Sequence, residues 1–136
     1  MITNEQVEKI FKQENIRFTP QRRYIIDELI GDTTHPTVGD IYTRVIVHHP
    51  NISRATVYLT LSLLQKHGLL TEIKVNESSH YDPITRPHSH GICCRCGLIV
   101  DLPQDEPSAV IKEFDNFTAT SKEIIYKGIC GNCNKN

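Results

Sequence analysis

The sequence has no excess of either charge: 15 Lys and Arg stand against 16 Asp and Glu, a net charge of −1. Residues 1–80 hold nine basic against nine acidic side chains, and residues 81–136 six against seven, so neither half is a basic module. Bulk attraction to a polyanion is thereby excluded, and any nucleic-acid binding must rest on local placement of a few cations. Long apolar runs are also missing. No stretch approaches the roughly 20 residues that span a bilayer, and the opening Met1-Ile2-Thr3-Asn4-Glu5-Gln6 lacks a basic-then-apolar signal. A cytoplasmic protein with no membrane association is expected. Neither His-x-Glu nor His-Glu-x-x-His occurs. A zinc hydrolase or deaminase, which sets a general base beside an open metal, is therefore not expected, and the chain is not read as an enzyme.

What is present fits a globular chain. It has 136 residues, 38% of them apolar and 23% charged, enough for one ordinary domain or two small ones sharing a core. Residues 1–67 read as helices with short breaks. Thr3 followed three residues later by Gln6 resembles a capping box, with Val7, Ile10 and Phe11 as the apolar stripe. Thr19-Pro20 supplies an N-cap and a proline at the first helical position. Ile25, Ile26, Leu29 and Ile30 form the buried face, and Gly31 stops the helix. Thr37 with Asp40 starts a third helix, whose core side is Ile41, Tyr42 and Val45 with Ile46 beside them, and Pro50 prevents its extension. Ser53 caps a fourth, running to about His67 with Val57, Leu61 and Leu64 inward, and Gly68 as stop.

The pattern then changes. Leu70–Val75 and Ser79–Asp82, separated by Asn76-Glu77-Ser78, read as a β-hairpin, and helices followed by such a wing are the layout of a winged helix-turn-helix. The predicted domains are a winged helix over 1–82, a hinge over 83–87, and a second unit over 88–136. In the second unit, strands are expected over Gly91–Cys93, Leu98–Leu102 and Phe117–Tyr126, with a short helix near Ser108–Phe114. The fold class is α+β. A unit of about 50 residues is marginal on a hydrophobic core alone, and metals or oligomerisation usually support it.

Two CxxC motifs, Cys93-Cys94-Arg95-Cys96 and Cys130-Gly131-Asn132-Cys133, stand 33 residues apart. Cys93, Cys96, Cys130 and Cys133 offer four soft thiolates, a tetrahedral set that suits a structural zinc and leaves no open position for substrate. The plain alternatives are ordinary core cysteines or a thiol–disulfide redox pair. Buried structural cysteines rarely recur as two CxxC units, and capture by zinc argues against the redox reading. Cys94 reads either as a free thiol next to the site or as a competitor of Cys93 for the metal; the spacing to Cys96 favours Cys93, and Cys94 is left without an assigned role.

A second group of possible ligands lies nearby. His88-Ser89-His90 sets two imidazoles on one side of a strand; Asp82 lies six residues before His88, Asp101 five after Cys96, and His35 sits in a loop before the third helix. Together they form a nitrogen-and-oxygen set suited to Fe(II), Mn(II) or Zn(II). Taken singly, each has a plainer reading: a surface histidine is usually solvated, and Asp82 can simply end a strand.

In combination these features resemble the ferric uptake regulator superfamily, most closely its peroxide-sensing branch. The resemblance runs over nearly the whole chain: Thr19-Pro20-Gln21-Arg22, His35-Pro36-Thr37, Ser53-Arg54-Ala55-Thr56-Val57-Tyr58, His88-Ser89-His90-Gly91-Ile92-Cys93, Cys96-Gly97-Leu98-Ile99-Val100-Asp101, and Gly128-Ile129-Cys130-Gly131-Asn132-Cys133. It implies a homodimeric repressor, with an N-terminal winged helix on DNA and a C-terminal α/β unit that dimerises around the cysteine-bound zinc. It implies a regulatory Fe(II) or Mn(II) held at the hinge by His35, Asp82, His88, His90 and Asp101. It implies, too, that hydrogen peroxide oxidises His35 or His88 when iron is bound, loosening the hinge and releasing DNA. The manganese form is expected to repress but to resist peroxide, and the zinc thiolates are not the sensor.

Iron sensors of the superfamily carry a run of histidines before the first CxxC, whereas this chain has Arg86-Pro87-His88-Ser89-His90. An iron- or zinc-responsive uptake regulator without peroxide sensing is the alternative within the superfamily. For double-stranded DNA bearing an inverted repeat, the expected contacts are Arg54, Thr56, Tyr58 and Thr60 on the fourth helix, with Arg22 and Arg23 on the backbone. Leu59 departs from the resemblance, which has a polar residue there; a leucine cannot donate to a base edge but can touch a thymine methyl.

Overall fold

Thr3 opens the first helix, α1 (Asn4–Gln13): its hydroxyl accepts the Gln6 amide while the Gln6 side chain accepts the Thr3 N–H. Thr19 caps α2 (Pro20–Asp27), Thr37 and Asp40 form a reciprocal box on α3 (Val38–Ile46), and Ser53 caps α4 (Arg54–Lys66). Each cap satisfies amides that the first helical turn leaves without an internal partner. Gly68 (φ +73) ends α4, with its N–H on the Gln65 carbonyl and the Leu69 N–H on that of Leu64. That left-handed closure is the reason a glycine stands there.

These elements belong to a computed structural model that describes residues 1–84, 86, 88–103, 113–119 and 122–135. The chain divides into two units, Met1–Arg86 and Pro87–Asn136. Among the described residues no helix is long and apolar enough to cross a membrane.

The first unit is a winged helix-turn-helix. Its core joins Val7 and Phe11 of α1, Ile25 and Ile26 of α2, Ile41 and Val45 of α3, and Val57, Leu61 and Leu64 of α4. Truncating a fully buried residue such as Leu61 to alanine should cost about 2–5 kcal/mol. The wing is β1 (Thr71–Val75) paired antiparallel with β2 (Ser78–Asp82). Its turn is two residues, Asn76 and Glu77, both at positive φ (+49 and +70), the twist that suits a tight hairpin. Ser78, expected in the turn, pairs with Val75 instead.

The second unit is built on a sheet of order β4-β3-β7. β3 (Ser89–Cys93) pairs antiparallel with β4 (Ile99–Leu102) and parallel with β7 (Ile125–Gly128). A small hairpin joins β5 (Glu113–Phe114) to β6 (Phe117–Thr118). Two expectations change here. The single strand foreseen over Phe117–Tyr126 is two, because β6 folds back on β5 through Asp115 and Asn116 (φ +46 and +67), whereas β7 pairs with β3. The helix foreseen near Ser108–Phe114 does not reach its end, since Glu113–Phe114 is strand; 108–112 lie outside the described residues, as do Thr85 and Pro87 of the expected hinge.

Candidate metal centres and nucleic-acid interface

The four cysteines meet because two knuckles face each other across the β3–β7 pair. In the first knuckle the Cys93 carbonyl accepts the Gly97 N–H at 2.9 Å, and Gly97 takes φ +77 to close it. In the second, the Cys130 carbonyl accepts the Asn134 N–H at 2.9 Å, and Arg95 crosses from the first to donate to the Cys133 carbonyl at 3.0 Å. The Cys130 N–H points at Cys93 Sγ at 3.3 Å, and Cys96 Sγ lies 3.7 Å from Cys130 Sγ. One sulfur from each of Cys93, Cys96, Cys130 and Cys133 falls within 4.8 Å of all the others.

Backbone N–H groups of Cys96 and Cys130 hold the Cys93 thiol down at about 6. Hydrogen bonding with Cys130 and then Cys96 pushes the Cys133 thiol up to about 12. Thiols this close compete for protons, and a divalent cation removes the competition by taking all four as thiolates. The donor set fits zinc: four soft ligands, tetrahedral, with no fifth position left for chemistry. Cys94 is exposed and outside this cluster, its N–H spent on the Gly128 carbonyl at 2.8 Å.

The nitrogen and oxygen donors fall into two groups, one in each unit. In the second unit, β3–β4 register sets His90 directly opposite Asp101. His88, two residues earlier on the same side, reaches the same carboxylate: His88 Nε2 lies 3.0 Å and His90 Nε2 3.3 Å from Asp101 Oδ1. The two rings are 4.3 Å apart by centroid. In the first unit, His35 Nε2 lies 3.8 Å from Asp82 Oδ2, and both residues are buried, at 2% and 1% exposure. Asp82 ends β2, and its other oxygen accepts the Ile84 N–H at 2.9 Å. Imidazoles beside carboxylates are a borderline-to-hard donor set that fits Fe(II), Mn(II) or Zn(II) and differs in kind from the sulfur cluster.

On α4 the exposed side carries Arg54, Ala55, Tyr58 and Leu59, with Thr56 half-buried. Thr56 bonds back to Ser53 Oγ, which lies 2.8 Å from its hydroxyl. Thr60 must be withdrawn from the expected DNA contacts. It is only 2% exposed, and its hydroxyl donates to the Thr56 carbonyl at 2.8 Å. Position 60 continues the i, i+3, i+4, i+7 stripe of Val57, Leu61 and Leu64 into the core. On α2, Arg22 donates to the Arg17 carbonyl, whereas Arg23 pairs with Glu8 at 3.2 Å and lies over the Phe18 ring at 4.5 Å.

The ferric uptake regulator family model matches residues 13–127. The chain belongs to the ferric uptake regulator family. It is 35% identical over 128 residues to the peroxide operon regulator of Bacillus subtilis (strain 168), covering 91% of this chain and 88% of that protein. It is also similar to PerR from Streptococcus pyogenes, whose structure is described as the basis for peroxide sensing and gene regulation by that protein. The identity is 31%, the TM-score 0.56, and the coverage 96% of this chain and 92% of that one. The fold likewise matches the ferric uptake regulator Fur of Helicobacter pylori, at a TM-score of 0.78 and 21% identity over 97% of this chain and 91% of that one.

One neighbour of these residues in the ferric uptake regulator fold is not singled out by any sequence spacing. His80, on β2, places Nδ1 2.8 Å from the carbonyl oxygen of His35. The signal available was the strand period: residues 80 and 82 share a face of β2, so a side chain accompanies Asp82 toward the His35 loop.

Proposed function

We propose that this chain is a metal-dependent, DNA-binding transcriptional repressor that senses hydrogen peroxide. The observation that carries the reading is the presence of two donor sets of unlike hardness in one chain of this family. Four thiolates suit a structural zinc, and imidazoles with carboxylates suit a regulatory Fe(II) or Mn(II). Similarity to the peroxide operon regulator and to PerR supports peroxide as the signal.

His35 and Asp82 from the first unit would hold the regulatory ion together with His88, His90 and Asp101 from the second. Ligands drawn from both sides of residues 83–87 restrict how the winged helix of 1–82 swings against 88–136, which selects the arrangement able to sit on a duplex. The second unit brings two copies of the chain together, so the paired α4 helices read an inverted repeat, with Arg54, Thr56 and Tyr58 toward DNA and Arg22 and Arg23 on the backbone. Bound Fe(II) would let hydrogen peroxide pass one oxygen atom to an imidazole carbon at the site, with water as the other product, and Mn(II) would not. His35 and His88 are the rings that take the oxygen. An oxidised ring is a weaker ligand, so it no longer ties the units together. This role is regulatory rather than enzymatic, and the protein works in the cytoplasm.

The test is retention of a selected inverted-repeat duplex by iron-loaded and by manganese-loaded protein, before and after peroxide. Release from the iron form alone is the expected result. Equal release from both forms, or from neither, defeats the reading.

A further inference from the structure

His35 stands in a backbone conformation that a histidine rarely adopts. Its φ is +53, in the left-handed region, and the next residue is Pro36, which further narrows what the preceding residue can do. Such a conformation persists only where surrounding contacts over-determine it. Two successive carbonyls of this loop are engaged by one strand: the Tyr81 N–H of β2 donates to the Pro36 carbonyl at 2.9 Å, and His80 Nδ1 lies 2.8 Å from the His35 carbonyl oxygen. A carbonyl oxygen can only accept, so Nδ1 of His80 carries the hydrogen. The opposite end of the loop is held separately, by Asp32, which accepts from the Thr34 N–H at 2.7 Å and from Arg44. His80 and Asp82 lie two residues apart on β2, so one strand face supplies both the group that fixes the His35 backbone and the carboxylate beside the His35 ring.

We propose that His80 is a positioning residue for the regulatory metal: its Nδ1–H clamps the His35 carbonyl, holding that residue left-handed so that its imidazole is aimed beside Asp82. The inference rests on the metal reading given above, and it concerns a residue that is not itself a ligand. The plainer role, satisfying one carbonyl for general stability, predicts that metal affinity and stability fall together. Positioning predicts that they separate.

The experiment uses the full-length, zinc-replete protein. Mn(II) affinity is read from the electron paramagnetic resonance signal of the free ion in wild type, His35→Ala, His80→Ala and His80→Asn, with zinc content and thermal midpoint measured on each metal-free form. His80→Ala should bind Mn(II) about tenfold or more weakly, a loss typical of outer-shell partners, with zinc unchanged and the midpoint little moved. His80→Asn, whose side-chain N–H lies where Nδ1–H does, should recover most of the affinity. In the metal-free wild type, long-range 15N–1H correlation should show His80 as the Nδ1–H tautomer. Wild-type affinity in His80→Ala, no recovery in His80→Asn, or an Nε2–H tautomer would each overturn the proposal. Unchanged Mn(II) binding in His35→Ala would instead remove the ligand set itself, and this inference with it.

Discussion

His88 and His90 aim Nε2 at one oxygen of Asp101, at 3.0 and 3.3 Å, so a single carboxylate organises both imidazoles of the second unit. The arrangement follows from strand geometry: 88 and 90 share a face, and register places 101 opposite 90. Changing that carboxylate should therefore alter the metal's surroundings without disturbing the fold. Asp101→Glu should keep DNA binding in the presence of Mn(II) or Fe(II) but blunt the peroxide response, because the longer side chain changes the coordination. Peroxide-dependent release of a selected duplex measures this, and an unchanged response would count against Asp101 as the tuning ligand.

The sulfur cluster should behave quite differently. Cys96→Ser or Cys133→Ser should lose zinc and unfold the second unit, because binding energy at a structural zinc site is also folding energy. The helical circular dichroism contributed by α1 to α4 should largely survive. Zinc content and oligomeric state report the loss, and a zinc-free variant that kept its sheet and its assembly would contradict the assignment.

On α4, exposure separates the residues that can meet DNA from those that cannot. Thr60→Val should leave duplex affinity within about twofold, since the Thr60 side chain is buried and its hydroxyl donates to the Thr56 carbonyl. Arg54→Ala should weaken binding and lower the salt dependence by about one unit of slope if it neutralises a phosphate. Titrations on one duplex at several salt concentrations distinguish the two, and equal losses would return Thr60 to the interface.

Much of the first unit was legible because its signals are local. Thr3, Thr19, Thr37 and Ser53 cap amides within three residues, and that chemistry is written in consecutive positions. Thr60 differs from expectation because its place on the Val57–Leu61–Leu64 stripe buries it, and its hydroxyl is satisfied within the helix by the Thr56 carbonyl. In the second unit, the parallel pairing of β3 with β7 joins residues some distance apart in sequence, such as His90 and Ile125, and has no local signature. The candidate ligands were visible as residue types, and the cysteine set was fixed by its spacing. The clamp of His80 on His35 spans 45 positions: the strand period puts residue 80 on the face of Asp82, but the carbonyl it meets depends on the loop's backbone and is not written in the sequence.

Asp32 gives the first unit a pH-dependent tie. Burial pushes its carboxyl up, but hydrogen bonds from Thr34 and Arg44 outweigh that and hold it below the ordinary 3.8. A depressed carboxyl contributes fully above its unfolded value and loses that contribution as pH falls through the lower folded value. Asp32→Asn should thus destabilise the first unit by about 1–2 kcal/mol near neutrality, discounted for the partial exposure of Arg44. The gap from wild type should shrink as the solution is taken below 3.8. Denaturant unfolding at the two pH values checks the sign, and a gap that widened in acid would contradict it.

On the function proposed above, His35 and His88 hold the regulatory ion and are the groups peroxide changes. Peptide mass spectrometry of iron-loaded and manganese-loaded protein after peroxide tests it most directly. A gain of one oxygen atom is expected on the His35 or His88 peptide of the iron form, with the manganese form unmodified. DNA release with both peptides unmodified, or with oxidation confined to Cys93, Cys96, Cys130 and Cys133, would contradict it.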